Sequence, residues 1–562
     1  MGWREDEFLG RLEEAAERFD HDGASRLANE LIAAFNQGET VSTEGARHIL
    51  QALRRKCFFD LIERIAEALR QTGHDEPQIR RQYAQSLIDQ GKVTLAIDVL
   101  EALMDRTAED PKENGEARGL LGRAYKQLYI DAVNADPKAA GLRLPQLNLR
   151  RAVEAYYPVY RSNPREHLRH GINTVALVWR AGQDGVELEN APATGALAQE
   201  ILAQIEAAAG GSRDKLTHWD LATAAEACIS LDRYGDALLW IGEYVQRKEA
   251  DAFELSSTLR QLTEVWRLEI GTAPGSLLLP LLQSHLLQRK GGRVGLAFGA
   301  LAETIECTKA AETTAEGAAG ATGKELQRIL GHEGVVTLRW YRLGLDRCRA
   351  VAQIQTKTGE GFGTGFLLRG RDLAPELDAV LLLTNAHVVS DDPDVRTRHG
   401  SLAPGEAEIV FEALDSQAQR TFHAARLLWT SPPEELDATL LALDPPVPAL
   451  EIYPIAADLP VVDGRQKVYV IGHPGGRSLS LSLSDNLLLD YDEERLIHYR
   501  APTEEGSSGS PVFNQQWDLI GLHHAGSLQM PRLRGQPGTY AANEGIRIDT
   551  ILRTVRAAGV RL

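Results

Sequence analysis

The sequence predicts a chain of more than one domain, an all-α half followed by a mostly β half. Two patterns carry this expectation, and a stretch of unusual composition separates them. From about Glu5 to Cys307 apolar residues recur at helical spacing, as in Ile79, Tyr83 and Leu87, then Ala96, Val99, Leu100 and Leu103. From Arg349 the period shifts toward two, in short runs such as Val380 to Leu383, Ile409 to Phe411 and Lys467 to Ile471, set apart by Gly, Pro and Asp. Between them, Thr308 to Gly323 is rich in small residues and nearly free of apolar anchors, the composition of a linker. A length of 562 residues exceeds one ordinary core. We expect a helical segment over 1–75, a helical repeat domain over 76–307, a linker and connecting helix over 308–345, and a β domain over 346–562.

Taken in order, the first half offers helical hairpins. Tyr83 to Leu87 meets Leu95 to Met104 across Gly91-Lys92; Ala152 to Tyr160 ends at Asn163-Pro164; Leu221 to Leu231 precedes Tyr234 to Val245. Ala152, Tyr156 and Pro164 fit the second helix of a tetratricopeptide unit, where a small residue permits close crossing and proline stops the helix, and Ala225, Ala237 and Ile241 fit another. A generic helical bundle would share part of this pattern. Ala117 to Lys126, Arg151 to Tyr156, Gly171 to Ala176 and Trp219 to Thr223 resemble the TRAF-binding tetratricopeptide-like region of apoptosis-signal-regulating kinases, over roughly Pro77 to Val245. That resemblance implies a sensor or adaptor that docks a regulatory protein partner and sets oligomer activation. No kinase signature accompanies it. The apolar stretch Gly275 to Leu287 is too short to span a membrane and reads as a core helix.

The second half carries ordered motifs. Gly363-Thr364-Gly365-Phe366 precedes Thr384-Asn385-Ala386-His387-Val388-Val389; Asp437 opens an apolar run; Val470-Ile471-Gly472-His473-Pro474-Gly475-Gly476 follows; then come Gly506-Ser507-Ser508-Gly509-Ser510-Pro511 and a terminal helical stretch, Asp549 to Ala558. Taken singly, Ser508 fits a turn serine, His387 a core histidine and Asp437 a strand-start cap. Their order on a β background, with these flanks, resembles the chymotrypsin-fold, trypsin-like serine peptidases from about Arg349 to Leu562, and the Gly472 loop resembles their glutamyl-endopeptidase branch. The fold expected is thus a tetratricopeptide-like helical repeat domain followed by a chymotrypsin-like double β-barrel. The resemblance implies that Ser508 is the nucleophile, His387 its base and Asp437 the carboxylate that orients the imidazole, with the backbone amides of Gly506 and Ser508 as an oxyanion hole.

The same resemblance addresses specificity. His523 stands fifteen residues after Ser508 and Thr503 five before it, positions at which glutamyl endopeptidases carry a histidine and a hydroxyl. A protonated or donating imidazole with a hydroxyl would bind a carboxylate or amide side chain, so cleavage after Glu or Asp, with Gln as a further candidate, is expected. His524 facing the pocket through a register difference is the alternative. Trypsin-type zymogens have an aspartate just before the serine; Ser507 stands there instead, which moves control toward the helical half.

Acidic residues outnumber basic ones, 79 to 61, which points away from nucleic acid and anionic membranes as partners. Cys57, Cys228, Cys307 and Cys348 form no disulfide or zinc pattern, and His167 and His170 lack the further ligands a metal needs. No cofactor is called for. Acidic residues at the N-terminus replace the apolar stretch of a secretory signal, so a cytoplasmic, bacterial-type setting is expected. The reading is a regulated serine endopeptidase, with a homo-oligomer as one option, acting on proteins or peptides in stress, cell-death or defence signalling. The alternative is an adaptor whose protease-like half serves as a binding module.

Overall fold

The computed structural model describes residues 4–17, 21–289, 294, 304–310, 337–373, 377–413, 421–447, 452–476, 479–482, 486–501 and 506–560. They divide into two compact units, one reaching Leu282 and the other starting at Gln283. The first is all helix. It begins with α1 (Glu5–Glu17), α2 (His21–Asn36), α3 (Thr43–Arg55), α4 (Phe59–Gln71), α5 (Pro77–Asp89) and α6 (Val93–Arg106). It continues with α7 (Pro111–Ala135), α8 (Arg143–Ser162), α9 (Leu168–Gln183), α10 (Thr194–Ala209), α11 (His218–Ser230), α12 (Tyr234–Gln246) and α13 (Ala252–Arg260). A π-helical turn, Gln261–Val265, extends α13, and α14 (Gly275–Gln288) crosses the boundary between the units.

Local chemistry sets the helix ends. Asp110 accepts from the amides of Lys112 and Glu113 ahead of Pro111, and Thr217 with Asp220 and Asp251 with Glu254 form reciprocal capping boxes. Gly91, at φ +77°, makes the turn between α5 and α6. Small residues set the crossings. A Cβ on Gly122 of α7 would stand 2.7 Å from the Tyr156 ring of α8, and one on Gly171 of α9 would stand 2.6 Å from the Tyr160 ring. Ala152, Ala225, Ala237 and Ile241 have no exposed surface, so the positions read as close contacts are close contacts. Among the described residues no helix is long and apolar enough to cross a membrane.

In the second unit, α15 (residues 304–310) and α16 (residues 337–348) precede the strands. Thr308 to Ala310, expected to open the linker, are helical and belong to α15, with the buried Thr308 hydroxyl donating to the Thr304 carbonyl at 2.6 Å. Residues 311–336 lie outside the described residues. Strands β1 (Val351–Thr356), β2 (Gly361–Arg369), β3 (Val380–Thr384), β4 (Ala407–Val410), β5 (Thr421–Ser431) and β6 (Ala438–Asp444) close an antiparallel barrel in the order β1-β2-β3-β6-β5-β4. The others are β7 (Tyr469–Gly472), β8 (Ser480–Ser482), β9 (Leu487–Tyr491), β10 (Leu496–Arg500), β11 (Pro511–Phe513), β12 (Leu519–Pro531) and β13 (Thr539–Arg547). They form a second, seven-stranded sheet, β8-β7-β11-β12-β13-β10-β9. Helices α17 (Gly370–Leu373) and α18 (Pro393–His399) sit in connections of the first barrel, and α19 (Ile548–Ala557) ends the unit with Ile548, Ile551, Leu552 and Val555 buried. Two successive β-barrel sheets and a terminal helix after a helical repeat region are the chymotrypsin-like architecture expected from the sequence.

One apolar core joins the two sheets, running from Ile354, Phe366 and Leu441 to Leu519, Leu522 and Ile546. Trp517 anchors α16 to it: its ring stacks on Tyr469 at 4.8 Å, its Nε1 donates to the Trp340 carbonyl at 2.9 Å, and its own carbonyl accepts from Arg347 Nε at 3.1 Å. The side chain is fully buried. Trp517→Ala is therefore expected to destabilise the protein by about 3–5 kcal/mol in chemical denaturation, the range for emptying a core aromatic site; a loss under about 1 kcal/mol would contradict this role.

Candidate active site

The histidine motif is held together residue by residue. At the end of β3 the Thr384 hydroxyl donates to the Thr364 carbonyl of β2 at 2.7 Å, and the Asn385 side-chain amide donates to the Asp437 carbonyl at 2.7 Å. His387 then donates its backbone N–H to Asp437 Oδ1 at 3.0 Å and meets Oδ2 through its ring Nδ1 at 2.6 Å. Ser401 secures the His387 carbonyl at 2.8 Å. With Nδ1–H turned to the carboxylate, the Nε2 lone pair is free to take a proton. From Leu381 to Ser390, His387 is the only residue not fully buried.

Asp437 immediately precedes β6 and is forced into an unusual backbone conformation, φ +40°. Its N–H donates to the Pro432 carbonyl at 3.0 Å, and Asn385 holds its carbonyl, so the strain is retained by fixed partners. The side chain is 1% exposed. Burial alone would favour the neutral acid, but hydrogen bonds from His387 and His524 outweigh it and keep the carboxyl well below the usual carboxylate range.

The loop carrying Ser508 is pinned by the first barrel. Thr364 N–H donates to the Ser508 carbonyl at 2.8 Å, and its hydroxyl donates to the Gly506 carbonyl at 3.0 Å. Gly506 and Gly509 lie at φ +90° and +88°, and a Cβ on Gly509 would stand 1.9 Å from the Thr364 carbonyl oxygen. Backbone bonds tie the far side of the loop to β12, from Gly509 N–H to the His523 carbonyl at 3.0 Å and from His523 N–H to the Ser510 carbonyl at 2.9 Å. From Gly506 to Ser510, Ser508 alone is not buried. The Gly363-Thr364-Gly365 motif, which gave only a family resemblance, has a physical task here.

The paired histidines separate in role. His523 is buried, and its Nδ1 lies 2.7 Å from the Tyr499 hydroxyl. Burial, then the neighbouring His524 and His387, push its pKa down to about 3, so the ring is uncharged and, of the two forms considered from sequence, only the neutral donor applies. Burial also raises the Tyr499 pKa, so the phenol keeps its proton; donating it to Nδ1 leaves the imidazole proton on Nε2. Thr503, its expected companion, lies outside the described residues.

His524 was considered only as a register alternative, yet it is the unpaired residue of a bulge in which His523 opposes Gly545 and Ala525 opposes Glu544. Its Nδ1 lies 3.0 Å from Asp437 Oδ2 and its Nε2 2.8 Å from Glu544 Oε1. Glu544 Oε2 lies 2.7 Å from His498 Nε2, and His498 Nδ1 lies 2.7 Å from the Tyr540 hydroxyl. Burial disfavours charge on His524, but the two carboxylates outweigh it and raise its pKa to about 9; burial disfavours ionised Glu544, and His498 and His524 bring it down to about 2. No sequence spacing announces this chain, because its members come from separate strands, β10, β12 and β13. The signal that existed was the doubled histidine itself.

Comparison with known proteins agrees with the two-part architecture. Residues 363–522 match the family described as trypsin-like peptidase domain, and residues 58–178 match the family described as tetratricopeptide repeats-sensor. Protein y4fB of Sinorhizobium fredii, itself called uncharacterized, is 26% identical over 43% of this chain and 41% of its own length, so the match spans about two-fifths of that relative. Among solved structures, the Rv3671c protease of M. tuberculosis in its active form is similar at 16% identity and a TM-score of 0.26, over 39% of this chain and 85% of that one. A serine endoprotease of Yersinia pestis is similar at 15% identity and a TM-score of 0.28, over 39% of this chain and 68% of that one.

The His524 charge sets a pH signature. Its folded pKa, about 9, lies above the unfolded value near 6.5, so its contribution is complete below pH ~6.5 and is lost as pH rises through 9. His524→Gln is expected to cost about 3 kcal/mol near pH 6 and progressively less toward pH 9.5, read as the difference in unfolding free energy from the parent protein. A difference independent of pH over that window would show that His524 is not charged in the folded state.

Proposed function

We propose that this protein is a serine endopeptidase in which His387, Asp437 and Ser508 act together. The observation that carries the reading is the Asp437 carboxylate bonded to both the backbone and ring of His387, together with a pinned loop in which, from Gly506 to Ser510, Ser508 alone is not buried. Ser508 Oγ attacks the scissile carbonyl carbon while its proton passes to His387 Nε2. Collapse of the tetrahedral adduct breaks the C–N bond, and the amine leaves with that proton. Water then repeats the sequence on the acyl-enzyme. Asp437 holds the imidazole tautomer and balances its positive form, and the amides of Gly506 and Ser508 receive the oxyanion.

The preferred residue before the scissile bond is Glu or Asp, with Gln also accepted, as in the glutamyl-endopeptidase branch. The neutral Nε2–H of His523 supports a side chain ending in an acceptor oxygen, and its lack of charge favours the amide relative to what an imidazolium would select. The helical half is the regulatory part. Its sensor-type repeat family and its similarity to the TRAF-binding region of apoptosis-signal-regulating kinases support docking of a regulatory partner, with stress, cell-death or defence signalling as the setting.

A fluorophosphonate probe is expected to label Ser508, and Ser508→Ala to abolish labelling. Both the full chain and the segment from residue 324 are assayed, so that an inhibited form is recognised as such; no labelling of either would overturn the peptidase reading. Asp437→Asn should lower kcat by about 10⁴ with little change in KM. In peptides differing only at the residue before the scissile bond, Glu, Asp and Gln should exceed Lys, Arg and Phe in kcat/KM by at least about tenfold, with His523→Ala flattening the profile. Preference for Lys, Arg or Phe would reject the specificity while leaving the mechanism standing.

A further inference from the structure

The helical unit encloses a cavity of about 450 Å³ unrelated to the candidate active site. Five segments bring cations to its wall: Arg54 from α3, Arg81 from α5, Arg123 and Lys126 from α7, Arg169 from α9 and Arg260 from the end of α13. The chain as a whole carries a net charge of −18, so this convergence runs against its average. Arg81 is tethered by Glu113 at 2.9 Å and, more loosely, by Glu116 of the wall itself at 3.4 Å, and Arg123 is tethered by Asp89. Tethering of this kind holds a guanidinium in place without filling the cavity.

Arg260 also pairs with Asp89, at 3.8 Å, whereas Arg54, Lys126 and Arg169 have no such ion pair among the described residues. Arg54 lies 5.6 Å above the Phe253 ring and Arg169 4.0 Å above the Trp219 ring, and neither has an ion pair among the described residues. Burial of the Arg169 head lowers its pKa, yet the residue as a whole remains exposed. Lys126 Nζ donates to two uncharged acceptors, Asn173 Oδ1 at 2.9 Å and Gln261 Oε1 at 2.8 Å, and burial presses its pKa down. The six cations outnumber the four carboxylates of the same wall, Glu116, Glu166, Glu226 and Glu264, and like charges gathered in one cavity are unfavourable unless an anion joins them.

We propose that this cavity binds a small organic phosphate of nucleotide size. Planar guanidinium forks and an ammonium converging from several helices match a multiply charged phosphate, which accepts along several directions at once. The volume lies in the range of pockets that enclose metabolite-sized ligands. Hydrogen-bond acceptors share the wall: Glu226 Oε2 is held by Trp266 Nε1 at 2.8 Å and by Gln261 Nε2 at 3.1 Å, and Glu264 lies close by on the same wall. These suit hydroxyl or amino groups, which a bare inorganic anion lacks. Gln261 touches both Lys126 and Glu226, and it opens the π-helical turn, an irregularity frequent at functional sites. Binding here does not depend on the other unit being a peptidase.

Isothermal titration of the full chain with ADP, UDP, adenosine and pyrophosphate tests the proposal. Saturable binding of ADP or UDP is expected, with adenosine and pyrophosphate each at least about tenfold weaker. Arg169→Gln and Lys126→Gln should each weaken nucleotide binding about tenfold or more, with folding checked by circular dichroism; the two residues lie on different helices, so a variant that fails to fold leaves the other decisive. The proposal is overturned by no nucleotide binding up to about 1 mM, by adenosine or pyrophosphate binding as tightly, or by full nucleotide affinity in a folded variant.

Discussion

The carboxylate of Asp437, buried where the two sheets of the C-terminal unit meet, is the group on which the rest of the site depends. Such a charge is costly to remove from water, and it persists because every oxygen is claimed: Oδ1 by the His387 backbone and Oδ2 by two imidazoles, one from each sheet. The second imidazole is itself held by Glu544, which in turn meets His498 and then Tyr540. Asp437, His524 and Glu544 alternate in charge, so each stabilises the next. The orientation of His387, set in the first barrel, therefore depends on a bulge in β12 and on the register of β13 in the second sheet.

The serine loop shows the same interdependence through the backbone. Thr364 belongs to the first barrel, yet its amide and hydroxyl fix the carbonyls of Ser508 and Gly506, and Thr384, three residues before His387, closes on the Thr364 carbonyl. One residue of β2 thereby couples the histidine motif to the Ser508 loop. Gly509 is required there because its α-carbon packs directly on that carbonyl. Short motifs distant in sequence are parts of one hydrogen-bonded assembly.

Much of this was legible before any coordinates. Helical spacing in the first half and near-alternation in the second were legible because each element's buried face repeats with its own period, as the α5 and β4 positions show, whereas β3 is buried on both faces. The pairing of His387 with Asp437 was legible because a short peptide must wrap around each of these side chains, and that peptide has a recognisable composition. The roles of His524, Glu544 and His498 were not, since cross-strand contacts leave no fixed interval and a bulge shifts the register that alternation would assign. Thr308 to Ala310, expected to begin the linker, are helical, because small residues fit a helix as well as a loop and composition alone does not separate the two. The cavity of the helical unit escaped for the same reason, its cations being spread over five segments.

The central claim is that Asp437 is ionised between two imidazoles of which His524 carries a proton at neutral pH. Nitrogen-detected NMR of the histidine rings, with His524 assigned through its glutamine variant, reads this directly. The account predicts that both ring nitrogens of His524 stay protonated through pH 7.5 and that the ring titrates near pH 9. A ring that titrates near its ordinary value of about 6.5 would contradict the account.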